Sequence, residues 1–193
     1  PNPYYTKEIS DECMEKIFLP TIRAMNAEGR TFKGCLYFGL MLTENGPKVI
    51  EYNCRFGDPE TQVVLPLLKS DLYTVMRATT DGTLDKTSVE FSDGAACCVI
   101  EASNGYPQKY ESGFPITLPD EYKNNVYIAG AKIADGRLVT AGGRVLGVTA
   151  TADTLKEGVK AAYEIVPQIT FENAYYRKDI GAKALAAQVK KEN

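Results

Sequence analysis

Glu51, Asn53 and Arg55 stand at alternate positions in the run Val49-Ile50-Glu51-Tyr52-Asn53-Cys54-Arg55. Successive side chains on a strand point to opposite faces, so a strand persisting through position 55 gathers these three on one face. It turns Ile50, Tyr52 and Cys54 to the other, towards a core. A carboxylate oxygen beside an amide oxygen suits Mg²⁺ (or Mn²⁺), which takes few protein oxygens and completes its shell with water and nucleotide phosphates. Arg55 alongside can clamp a phosphoryl or acyl-phosphate oxygen. The bare pattern Glu-x-Asn-x-Arg is also that of a half-exposed strand with one wet face. Gly39, on the facing segment, marks either a close approach or a bulge.

Three further groupings carry charge at turns. Asp58-Pro59-Glu60 reads as a helix start, with Asp58 as N-cap and Pro59 in the first turn. Asp58 and Glu60 also make a poor anion site and a good one for an ammonium group, the form in which an amino acid presents itself. At Gly142-Gly143-Arg144, two glycines can aim backbone N–H groups at an anion with Arg144 as its charge partner; a hairpin turn is the alternative. Arg177 and Lys178 precede a helix start, where phosphate can dock or the charges can simply be solvated.

The elements that position these residues follow from periodicity and punctuation. Ser10, followed by Asp11 and Glu12, marks a helix start, and the helix runs to Glu28 and Gly29 with a bend at Pro20. Residues 36–42 and 48–53 read as two strands joined through Glu44-Asn45-Gly46-Pro47. Apolar residues at Val63, Val64, Leu67 and Leu68, then Leu72, Val75 and Met76, predict two short helices meeting near Ser70 and Asp71. Residues 79–93 are polar and read as a connector, which puts a domain boundary between 1–92 and 93–193. Beyond it, residues 95–102, 126–133, 138–140 and 144–151 predict an antiparallel sheet. Thr151 or Asp153 is the expected cap of a helix over 155–166, and Asp179 that of a last helix over 180–189. The fold class is α+β in both parts.

Composition bounds the chemistry. The 193 residues carry 22 basic and 25 acidic side chains, net charge -3, and no dense basic run, so no nucleic-acid footprint is present. No apolar stretch approaches the ~20 residues that span a bilayer. There is no histidine, which removes imidazole shuttles, Ser-His and Cys-His nucleophiles and His-based zinc sites. Five cysteines, including the adjacent Cys97 and Cys98, have neither disulfide-framework nor zinc spacing and fit a reducing cytoplasm. The start Pro1-Asn2-Pro3-Tyr4-Tyr5 lacks an initiator Met and signal-peptide features and reads as the interior of a longer chain. No P-loop, dinucleotide fingerprint or EF-hand loop occurs, so nucleotide binding requires another architecture.

The segment from Lys48 through Arg55-Phe56-Gly57-Asp58-Pro59-Glu60 to Gln62, followed by Leu67-Leu68-Lys69-Ser70-Asp71-Leu72, resembles the signature region of the glycinamide ribonucleotide synthetase family. The resemblance continues through Ser103-Asn104-Gly105-Tyr106-Pro107, Ala141-Gly142-Gly143-Arg144-Val145-Leu146 and Tyr176-Arg177-Lys178-Asp179-Ile180-Gly181, in order over nearly the whole chain. It implies the carboxy-terminal half of an ATP-grasp domain (1–92) followed by a small α+β synthetase domain (93–193). It also implies ATP as co-substrate, glycine and phosphoribosylamine as small-molecule substrates, and a partner in the remaining amino-terminal part of the parent chain. Glu51 and Asn53 match the metal-ligand positions and Arg55 that of a group acting on the transferring phosphoryl. Asp58 and Glu60 are assigned to glycine, and Gly142, Gly143, Arg144 and Arg177 to substrate phosphate. The segment 36–42 has no carboxylate, whereas many ATP-grasp enzymes place a second metal-binding acid there. The alternatives are another ATP-grasp carboxylate–amine ligase or carboxylase, or a non-catalytic folding or association module.

Overall fold

Pro20 shapes the first element. It has no N–H to offer the Lys16 carbonyl, and its ring would clash there in a regular helix. The computed structural model describes residues 3–192, and the chain widens just before that proline. Helix α1 (Lys7–Cys13) passes into a π-helical turn over Met14–Phe18 and then into α2 (Leu19–Ala27). Leu19 N–H bonds the Met14 carbonyl, and Thr21 Oγ1 donates to the Ile17 carbonyl at 2.7 Å. The expected bend at Pro20 is thus an insertion of π geometry. The helix begins earlier than Ser10, because Thr6 Oγ1 accepts from Ile9 N–H at 3.4 Å.

The described residues divide into two compact units, 3–58 with Leu68–Phe91, and Pro59–Leu67 with 92–192. In the first, strands β1 (Tyr37–Thr43) and β2 (Gly46–Asn53) form an antiparallel hairpin, Thr43 opposite Gly46 and Tyr37 opposite Asn53. Its register slips between Gly39 and Leu40. A short helix, α3 (Thr61–Val64), belongs to the second unit, and α4 (Leu72–Asp81) to the first. Asp71 caps α4, its Oδ1 accepting from Thr74 N–H at 2.7 Å, and Gly82 closes it with φ +73. The expected connector is therefore partly built structure. Helix α4 continues through Asp81, and the chain returns to pair Phe91 with Leu68, Lys69 N–H donating to the Glu90 carbonyl at 2.8 Å.

In the second unit, β3 (Ala95–Ser103), β4 (Val126–Ile128), β7 (Arg144–Ala152) and β8 (Ala174–Tyr175) make one antiparallel sheet in the order β4-β7-β3-β8. Strands β5 (Ala131–Ala134) and β6 (Arg137–Thr140) form a separate hairpin. The single strand expected over 126–133 is broken at Gly130, where a Cβ would lie 2.5 Å from the Arg144 carbonyl oxygen. Helix α5 (Leu155–Ile165) covers one face of the larger sheet. Its Val159 and Ala162 pack with Cys97, Val99, Leu146, Val148 and Ala150. Thr154, not Thr151 or Asp153, caps it, accepting from Glu157 N–H at 3.2 Å. The last helix, α6 (Ala182–Glu192), starts after the position expected from an Asp179 cap, because that carboxylate is committed to Arg177.

Among the described residues the polar side chains buried in the core include one carboxylate. Glu101 is 1% exposed, its Oε2 meets no donor, and burial pushes its carboxyl from 4.5 up to about 8. The folded chain therefore holds a proton that the unfolded chain releases, and stability falls as pH rises from about 4.5 to about 8. Glu101→Gln removes the charge at nearly constant shape. Thermal melts should show the variant more stable than the parent by a few kcal/mol at pH 9 and similar at pH 4. Parallel pH profiles for the two proteins would contradict this account.

Candidate functional site

The register of the β1–β2 hairpin places Glu51 opposite Gly39 and Asn53 opposite Tyr37. Two positions apart on β2, Glu51 and Asn53 share a face, and Asn53 Nδ2 donates to Glu51 Oε1 at 3.1 Å. The glycine across the ladder is what lets the carboxylate lie there: a Cβ at Gly39 would sit 2.7 Å from Glu51 Cγ. Gly39 thus marks a close approach, and the register slip beside it leaves Ile50 as the extra residue on β2. The space fits an oxygen-liganded divalent ion. It offers one carboxylate and one amide oxygen, beside a strand that a larger residue at position 39 would crowd. Among the described residues no cluster of three His, Cys, Asp or Glu exists to hold a metal alone.

Strand β2 stops at Asn53, so Arg55 is not the third member of the strand face. It lies exposed beyond the strand end, its Nη1 donating to the Phe56 carbonyl at 2.9 Å. The other face also differs from expectation. Ile50 is 62% exposed, Tyr52 51%, and Cys54 is exposed, so they do not face a core. Tyr52 packs edge-on to Phe38 at 5.3 Å, and with Cys54, Met25, Phe32 and Leu36 it lines an open cavity of about 530 Å³. Asp58 is exposed and Glu60 half-buried. Glu60, rather than Asp58, sits at the N-cap position of α3, its carbonyl accepting from Val63 and Val64 N–H. The two acids fall in different units.

In the second unit the sheet gathers the segments carrying the remaining site residues. Ala102 on β3 pairs with Arg144 on one side and Tyr175 on the other, so both basic segments meet β3 near its end. Glu101 faces Leu146 while Ala102 faces Arg144, which leaves Val145 as an extra residue on β7. Val145 and Leu146 are both fully buried. Without that bulge, Arg144 would share the core face of Leu146; with it, Arg144 shares the face of Ala102.

Residues 141–143 run between two sheets and are not a hairpin turn. Gly142 packs on Gly130, Gly143 against the Tyr106 ring, and Ser103 donates to the Gly142 carbonyl through Oγ (2.9 Å) and to the Gly143 carbonyl through N–H (2.8 Å). Each glycine is needed for close approach. Arg177 is exposed and forms a bidentate pair with Asp179, Nε at 2.9 Å and Nη2 at 2.7 Å. That pair raises the Arg177 pKa and lowers that of Asp179.

Comparison with known proteins joins these two regions. Residues 1–61 match the model described as phosphoribosylglycinamide synthetase, ATP-grasp (A) domain, and residues 96–183 match phosphoribosylglycinamide synthetase, C domain. The chain belongs to the phosphoribosylglycinamide synthetase family. A phosphoribosylamine–glycine ligase of Caldanaerobacter subterraneus is 50% identical over 183 residues, 94% of this chain and 44% of that protein. One from Clostridium acetobutylicum is 45% identical over 181 residues, with the same coverage of 94% and 44%. The crystal structure of the Thermotoga maritima phosphoribosylamine–glycine ligase aligns with TM-score 0.81 at 37% identity, covering 91% of this chain and 44% of that one. The chain thus spans under half the length of the curated relatives it matches.

Within the synthetase family models, Glu51, Asn53, Arg55, Asp58 and Glu60 fall in the ATP-grasp part, and Arg144 and Arg177 in the C domain. No helix among the described residues is long and apolar enough to cross a membrane. Sequence reading quoted Ser103 and Tyr106 only as part of the resemblance, without a role, and missed Gly130; the three shape the 141–143 crossing. It also missed the bulge at Val145, although two successive apolar residues there interrupt the alternation expected of a strand.

Proposed function

We propose that this chain forms the metal-binding hairpin and the substrate-phosphate end of an ATP-dependent ligase that joins glycine to 5-phosphoribosylamine in purine biosynthesis in the cytoplasm. The observation that carries the reading is the Glu51–Asn53 contact, 3.1 Å, on a face cleared by Gly39. The elements that cover ATP and hold adenine come from the rest of the ligase, and the chain acts only within it.

Glu51 and Asn53 would hold Mg²⁺ or Mn²⁺. Such an ion, when bound, draws charge from the nucleotide phosphates. A glycine carboxylate oxygen attacks the γ-phosphorus of ATP, the bond to the β-phosphate oxygen breaks, and glycyl phosphate and ADP form. Arg55, turning from the Phe56 carbonyl, stabilises the charge on the transferring phosphoryl group. Asp58 and Glu60 receive the glycine ammonium. The amine of phosphoribosylamine then attacks the acyl carbon, the carbon–oxygen bond to phosphate breaks, and the amine gives up its proton, leaving glycinamide ribonucleotide and phosphate. Gly142, Gly143, Arg144 and Arg177 hold the ribose phosphate during that attack. An amine is a sufficient nucleophile towards an acyl phosphate, so the absence of histidine is no obstacle.

Glycine labelled with ¹⁸O in its carboxylate tests this route in the complete ligase. The route predicts one labelled oxygen in the phosphate released per turnover. Label released to water instead would exclude activation as glycyl phosphate.

A further inference from the structure

Tyr163 lies on α5, one helical turn after Val159, where both face the chain segment that displays Arg177. A Cβ at Gly181 would meet Val159 Cγ2 at 2.6 Å, so the segment lies directly against the helix. The Tyr163 hydroxyl donates to the Arg177 carbonyl at 2.7 Å and accepts from Ile180 N–H at 3.0 Å. One phenol therefore satisfies a backbone acceptor and a backbone donor three residues apart, bridging the loop that Arg177, Lys178 and Asp179 occupy. The Tyr176 ring, 6.4 Å from that of Tyr163, packs beside it.

We infer that Tyr163 is a positioning residue for phosphoribosylamine: it fixes the backbone from which Arg177 reaches the substrate phosphate, an inference that rests on the role proposed above for Arg177. The remaining freedom lies in the side chain, and Asp179 restricts it. Two of the five guanidinium N–H groups are directed at Asp179, and the other three lie outside that pair, where an anion can meet them. A Lys, as a point charge, would gain no such orientation from the carboxylate. Burial raises the Tyr163 pKa above its ordinary value, so the hydroxyl, a donor at neutral pH in any case, stays protonated further into the alkaline range. The fastening acts on binding rather than on the chemical step, because neither hydroxyl contact touches a reacting atom.

The test uses Tyr163→Phe, Arg177→Ala and the double variant in the complete ligase, with phosphoribosylamine formed in the assay from ribose 5-phosphate and ammonia. Tyr163→Phe should raise KM for phosphoribosylamine about 10-fold, with kcat within about twofold and KM for ATP and glycine unchanged. Amide exchange at Ile180 should quicken. Arg177→Ala should raise the same KM at least as much, and the double variant should add nothing further. If Arg177→Ala raises that KM and Tyr163→Phe does not, the positioning role fails while the assignment of Arg177 stands. If Arg177→Ala leaves it unchanged, both fail. A Tyr163→Phe effect spread over all three substrates, or confined to kcat, would mark a general structural role and overturn the inference.

Discussion

Replacing Glu51 by glutamine in the complete ligase is expected to lower kcat by about 10²–10³-fold, on the scale of losing one group that stabilises transition-state charge, while leaving the fold intact. Glutamine has nearly the same shape and still lies over Gly39. Its side-chain oxygen can still accept from Asn53 Nδ2, so the 3.1 Å contact survives. What disappears is the negative charge that a hard divalent cation requires of its few protein ligands. Titration with Mg²⁺ should therefore show weaker apparent metal affinity together with the lower kcat. Unchanged kcat and an unchanged metal titration would remove Glu51 from the site.

Arg55→Ala is expected to cost about 10²–10³-fold in kcat, by the same comparison with losing one transition-state donor. Arg55 already stands beyond the end of β2 as an exposed residue, and it donates to a neighbouring backbone group, the Phe56 carbonyl. Exchanging that bond for a phosphoryl oxygen costs little, because a solvated alternative exists for the carbonyl. Steady-state rates at saturating ATP, glycine and phosphoribosylamine measure the effect. A rise in KM with kcat unchanged would mean uniform substrate binding and would contradict a role on the transferring group.

The Glu51–Asn53 pair was legible in the sequence because a strand fixes the relation of positions two apart, and the turn residues around Asn45 and Gly46 announced the hairpin. The end of the strand was not. Arg55 continues the alternation on paper, but the ladder ends at Asn53, since β1 has no residue left to pair with it beyond Tyr37. Alternation also shows that two faces differ without showing what covers each, and Ile50 and Tyr52, read as facing a core, are exposed. In the second unit the strand segments were legible and their partition was not. The split at Gly130 depends on contacts with Gly142 and Arg144, distant in sequence. Helix caps were displaced by local competition. Asp179, a good cap by type, is taken by Arg177 two residues earlier, and Thr154 outcompetes Asp153 through its reciprocal bonds with Glu157.

ADP release by the complete ligase with Mg-ATP, with glycine and phosphoribosylamine omitted in turn and the series repeated for Glu51→Gln, tests the central claim most directly. Sustained release, beyond one ADP per enzyme, should require both substrates and collapse in the variant. Release indifferent to glycine would contradict the claim.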